Sequence, residues 1–100
     1  MNMQQMMMQA QKMQRELKKA IESLHGQDFE LSKAGLVTVK MKGDKTITSI
    51  NIEEDGFEKD NKEMVEEMIV SAINELMEKI SAEEEAINEK ITGRAGGFGF

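Results

Sequence analysis

Four cations, Lys12, Arg15, Lys18 and Lys19, fall within eight residues near the start of the chain. Closely spaced ammonium and guanidinium groups do one kind of chemistry well: they neutralise the oxygens of a polyanion such as a phosphate backbone. Lys90 and Arg94 stand near the other end of the sequence. Other chemistries are poorly supplied. There is one histidine and no cysteine or tyrosine, and the carboxylates are spread along predicted helix faces instead of pairing in a pocket. No catalytic residue, metal ligand or cofactor site is expected, and the chain does not read as an enzyme. His25, at a predicted helix C-terminus, suits that position as a surface residue. Glu53-Glu54-Asp55-Gly56 lacks the alternating carboxylate spacing of a calcium loop and reads as a solvated acidic turn.

The formal net charge is −6, but its distribution matters more than its sum. Residues 1–26 carry net +2, residues 27–52 net +1 and residues 53–100 net −9. A polyanion responds to charge within a Debye length of about 8–10 Å, so the acidic second half does not cancel the basic first helix. No apolar run is long enough to span a bilayer, and no basic patch precedes an apolar core at the N-terminus. The absence of cysteine fits a reducing compartment. A cytoplasmic protein with no membrane and no small-molecule substrate is expected.

These cations need an element to carry them. Met3, Met6, Ala10, Met13, Leu17, Ala20 and Leu24 alternate three and four residues apart, one stripe of a helix predicted over 2–25, widened by Ile21. The cations point away from that seam. Gly26 is the expected left-handed stop. Strands are predicted over 28–32, 36–42 and 45–52, with Gly35 allowing the first turn and Gly43-Asp44 forming a two-residue hairpin loop. That loop pairs Lys42 with Lys45, Lys40 with Ile47 and Val37 with Ile50. One sheet face then holds Val37, Val39, Met41, Thr48, Ile50 and Ile52 and should take the helices. The other face holds Leu36, Lys40, Lys42, Lys45 and Ile47, with its lysines as solubilising residues or as further phosphate contacts. Phe57 is expected to plug the core from a short turn. A second helix is predicted over 61–92, with Asp60 and Glu63 as a capping-box variant and Gly93 as its end. Its apolar face is wide from Met64 to Ile80 and narrow afterwards.

One domain, residues 1–92, followed by a flexible Gly-rich tail over 93–100, is the expected organisation. At 1.5 Å per residue the helices run about 33 and 46 Å, longer than a compact globule of this length with a radius of gyration of roughly 13 Å. Their free ends point the same way, so an antiparallel arm is expected, with Met3, Met6 and Met13 packing on Ala86, Ile87 and Ile91. The fold class is α+β, with a three-stranded antiparallel sheet and an α-β-β-β-α order. Open strand edges and the wide apolar face before Ile80 point to a homodimer.

Three segments resemble the YbaB/EbfC family. They are Gln9-Ala10-Gln11-Lys12-Met13-Gln14 on a Met-rich first helix, Gly35-Leu36-Val37-Thr38-Val39 before a Gly-containing hairpin, and the run from Glu63 to Asn74. A Gly- and Phe-rich end adds to the likeness, which covers nearly the whole chain in order. The resemblance implies a small nucleoid-associated protein that forms homodimers whose projecting helical arms bind DNA. Lys12, Arg15, Lys18 and Lys19, with Lys90 and Arg94, are the expected contacts to double-stranded DNA. The near absence of aromatic residues argues against base stacking, so little sequence preference is expected. The competing reading is a protein–protein adaptor that uses the Met-rich seam without touching DNA.

Overall fold

The computed structural model describes residues 2–94, with only the backbone of Arg94. Most of the expected tail, residues 95–100, lies outside the described residues. Helix α1 spans Met3–His25. Strands β1 (Asp28–Lys33), β2 (Val37–Lys42) and β3 (Ile47–Ile52) follow, then two short 3-10 turns, Glu54–Phe57 and Lys59–Asn61, and helix α2 (Lys62–Arg94). The strands form one antiparallel sheet in the order β1-β2-β3. This is the expected α+β fold in α-β-β-β-α order.

Helix α1 starts where Asn2, in extended backbone, accepts the Gln5 N–H on its side-chain oxygen at 2.8 Å. Such a cap satisfies one of the orphan donors of the first turn. Gly26 ends the helix in right-handed backbone, φ −86°, not in the left-handed conformation expected of a helix-terminating glycine. The following Gln27 N–H still closes onto Leu24 O at 3.0 Å. The chain turns from β1 to β2 through Ala34 and Gly35, both at positive φ.

The second hairpin departs from expectation. Its loop has three residues, Gly43-Asp44-Lys45: Lys42 N–H donates to Thr46 O and Lys45 N–H to Lys42 O, both at 2.8 Å. Lys45 turns left-handed at φ 70°, the usual close of such a loop. Thr46 N–H donates to the Asp44 carboxylate at 2.9 Å and holds the turn. A second irregularity between Lys40 and Met41 leaves Thr48 without a partner. Val37 therefore pairs with Ile52 instead of Ile50, and Lys40 with Ser49 instead of Ile47. Each change slips the register by one residue. Together they amount to two, which returns Ile50 and Ile52 to the face of Val37 and Val39.

That face is covered unevenly. Val65, Ala72, Leu76 and Ile80 of α2 bury against Phe29, Val37, Val39 and Met41, and Leu24 of α1 joins them. Each large apolar side chain so enclosed contributes about 1.5–3 kcal/mol. Helix α2 lies over β1 and β2. Lys33 Nζ meets Glu75 Oε1 at 2.6 Å, and Lys79 sits 5.7 Å from the Phe29 ring centre, both on the β1 side. Strand β3 is left open: Ile47 and Ile50 remain 42% and 43% exposed, so the expectation that helices cover Ile50 and Thr48 fails. Phe57, expected to plug the core, is 73% exposed. Gly56 is the buried residue of that turn, seated on Ile52 and Val65. Asp60 falls inside the second 3-10 turn, ahead of α2, and α2 continues through Gly93 to Arg94.

Past Ile80, α2 leaves the sheet and runs beside α1. Ile87 and Ile91 line one groove with Ala20 and Glu16, so the overlap involves the C-terminal half of α1. Met3, Met6, Met7 and Met8 are exposed, and Met13 is half-buried. The expected packing of Met3, Met6 and Met13 on Ala86, Ile87 and Ile91 is thus out by about two turns of α1. Leu24 is anchored in the core, and the described part of α2, to Arg94, falls short of the tip. The molecule measures 69 × 22 × 14 Å, with a radius of gyration of 19.8 Å against roughly 13 Å for a compact chain of this length. An arm does project, and its outer part is α1 alone among the described residues.

Candidate nucleic-acid interface

Lys12, Arg15 and Lys19 are spaced three and four residues apart, so they form one stripe along α1, opposite the apolar seam. Lys18 lies on the flank of that stripe. All four are exposed. Among the described residues none of them makes an ion pair. Successive members of the stripe are about 4.5 to 6 Å apart along the helix axis.

The structure brings one second-helix cation to this site. Lys90 lines the groove between the helices together with Lys19, Glu16 and Ile91. Arg94 closes α2 one turn further along, but its side chain lies outside the described residues. Helix α2 is otherwise acidic on its outer side: Glu78, Glu85 and Glu89 share a stripe and are exposed. The arm therefore carries cations along the back of α1 and anions along the back of α2.

The sheet lysines are employed differently. Lys42 Nζ pairs with Asp28 Oδ1 at 2.8 Å, directly across the strand pair, and Lys45 Nζ with Glu84 Oε1 at 3.6 Å. Lys40 faces Glu30 across the strands. The charges of Lys42 and Lys45 are thus answered by neighbouring carboxylates. His25 is exposed in the last turn of α1, as expected. No helix among the described residues is long and apolar enough to cross a membrane.

The Asp44 carboxyl is held below the ordinary carboxylate value by hydrogen bonds from Thr46, first at the side chain and then at the backbone. The group stiffens the hairpin and is remote in role from the basic stripe.

One feature escaped the sequence reading. Ile47 and Ile50 of β3, Val70 and Met77 of α2, and Phe57 are all at least 40% exposed. Met77 shares a groove with Lys45, at the start of the β3 hairpin. Strand alternation correctly put Ile50 on the helix-bearing face. It carries no information on how far across the sheet the helix lies.

Fold and site together define a small α+β protein that displays Lys12, Arg15, Lys18 and Lys19 on a projecting helical arm. The YbaB/EbfC DNA-binding family model matches residues 1–95, and the chain belongs to that family. It is 43% identical over 96 residues to a nucleoid-associated protein of Clostridium novyi (strain NT), covering 93% of this chain and 82% of that one. It is 38% identical over 98 residues to a nucleoid-associated protein of Enterococcus faecalis (strain ATCC 700802 / V583), covering 97% and 94%. With one from Streptococcus suis (strain 05ZYH33), identity is 37% over 101 residues and coverage 100% and 99%. The family is a DNA-binding family and not a family of enzymes.

Proposed function

We propose that this protein binds double-stranded DNA in the nucleoid, as a homodimer and with little sequence preference. The α1 cations Lys12, Arg15, Lys18 and Lys19 make the phosphate contacts, joined by Lys90 and Arg94. The observation that carries this reading is the unpaired basic stripe on an arm that stands clear of the sheet. The named relatives and the family description support the DNA partner.

Phosphate contacts fix position and carry no base code, and the chain has no Trp or Tyr to stack on bases. The homodimer reading is supported by the open apolar shelf of Ile47, Ile50, Val70 and Met77 beside the edge strand β3. Exposed patches of this kind next to an unpaired strand edge are ordinarily covered by a partner. Two copies present the basic stripe twice, so that avidity makes up for few contacts per arm.

The test is a fluorescence anisotropy titration of duplex from low to physiological salt. The logarithm of the binding constant should fall linearly with that of salt, by about 0.9 for each phosphate neutralised. Changing Lys12, Arg15, Lys18 and Lys19 to Glu should abolish binding at physiological salt. Unchanged affinity in that variant removes the assignment.

A further inference from the structure

The outermost part of the arm is chemically unlike the rest of the molecule. Residues 2–11 contain no charged side chain, in a chain that is 32% charged. They hold Met3, Met6, Met7 and Met8, which are 77%, 49%, 57% and 64% exposed. Among the described residues α2 extends to Arg94, one turn beyond Ile91, whose groove is shared with Glu16 and Ala20 of α1, so its described part falls short of the tip. The heptad seam nevertheless continues without a break through Met13, Ala10, Met6 and Met3. An apolar seam of this period is complementary to another helix.

We propose that the tip of α1 is a weak self-association surface that joins two copies of this protein, tip to tip. The proposal rests on the DNA-binding reading only for its consequence, which is to link separately bound copies. The charge layout selects the occupant. A tip without charged side chains offers little to a polyanion and no complementarity to a charged partner, yet its side chains meet those of its own copy without repulsion. Symmetry then selects the direction. In a two-fold contact residue i meets j and j meets i. An antiparallel overlap centred near Met8 places Met3 opposite Met13 and Met6 opposite Ala10. The two Lys12 residues then lie about 12 Å apart along the axis, by helical rise. A parallel overlap would set the two Lys12 side by side. The antiparallel overlap also ends at the level of Met13, near the last described residue of α2. Flexible thioethers suit a short seam of this kind, whose weakness is offset by the high effective concentration of copies on one DNA molecule.

The chain has no native cysteine, which makes the contact directly testable. Met6→Cys and Ala10→Cys chains are prepared separately, mixed without DNA and oxidised. The mixture should give a cross-linked product several-fold in excess of either variant alone. That product should persist in salt that abolishes duplex binding and be lost when Met13→Glu is added to both chains. A mixture that links no better than the separate variants overturns the proposal, as it would if the tip were hydrated or covered by residues 95–100 of its own chain. Equal linking by Met6→Cys alone overturns the antiparallel arrangement, and linking that survives Met13→Glu overturns the seam. Duplex binding by the Met13→Glu chain, measured at one bound protein per fragment, should match the unaltered protein, so the phosphate assignment stands or falls separately.

Discussion

Gly43→Ala should destabilise this protein, although its backbone conformation gives no reason for it. Gly43 is not at positive φ. At such a site alanine ordinarily raises stability by about 0.4–1 kcal/mol, because it restricts the unfolded chain. The surroundings reverse that sign. The hairpin loop is pressed against the end of α1, where Gly43 N–H donates to Gln27 O at 3.0 Å. A Cβ on residue 43 would lie 1.8 Å from the Leu24 carbonyl oxygen and 2.6 Å from its carbon, where ordinary contact begins at 3.4 Å. The oxygen would have to retreat by about 1.6 Å, and it belongs to a helical backbone whose Leu24 side chain is locked in the core. Overpacking costs typically about 1–3 kcal/mol, and a clash with backbone belongs at the upper end. For a domain of this size each kcal/mol lowers the melting temperature by roughly 4–8 °C. Thermal unfolding followed by circular dichroism should therefore show a fall of about 8–20 °C after the entropic gain is subtracted. Gly93→Ala is the control, since an added Cβ there meets nothing within 4 Å inside α2. It should leave the melting temperature equal or slightly raised. A Gly43→Ala protein as stable as the unaltered chain would mean that the Leu24 carbonyl yields without cost, against this account.

Ile80→Ala, at a side chain with 0% exposure where α2 leaves the sheet, should cost about 2–5 kcal/mol in denaturant unfolding. Ile50→Asp together with Val70→Asp should shift sedimentation toward monomer while leaving the helical signal intact, and an unchanged mass would exclude that shelf as the dimer face. The Asp44 carboxyl is held below its ordinary value in the fold, so its ionised form is favoured there. Its contribution is fully present above the unfolded-state pKa and lost as pH falls through the folded one. Any melting-temperature gap between the unaltered protein and Asp44→Asn should therefore close on acidification through the carboxylate range, and a gap that widened would contradict that sign. Asn2→Ala should fray the tip of α1, seen as faster amide exchange at Gln5, without a global loss of stability.

Much of this protein is legible in its residue order because helix and strand periods are local. The stripe of Lys12, Arg15 and Lys19 opposite a Met-rich seam follows from spacing alone, and so does the sequence of five elements. Ile50 and Ile52 come out on the correct face because two one-residue slips compensate, but Ile47, expected on the opposite face, pairs with Met41 on the helix-bearing side and Thr48 bulges out of the ladder.

Tertiary structure decided what lies between elements. The hairpin has a three-residue loop because Lys45 adopts left-handed backbone, which no short-range turn signal at Gly43-Asp44 discloses. Helix α2 settles over β1 and β2, held by Lys33–Glu75 and by Lys79 above Phe29, and so uncovers Ile47 and Ile50. The axial offset of α1 against α2 is set by where Leu24 enters the core, and it leaves Met3 and Met6 exposed when the heptad by itself would have paired them. A repeat of three and four residues specifies which side of a helix is apolar. It is blind to how far one helix slides along another, because every turn of the seam offers nearly the same surface.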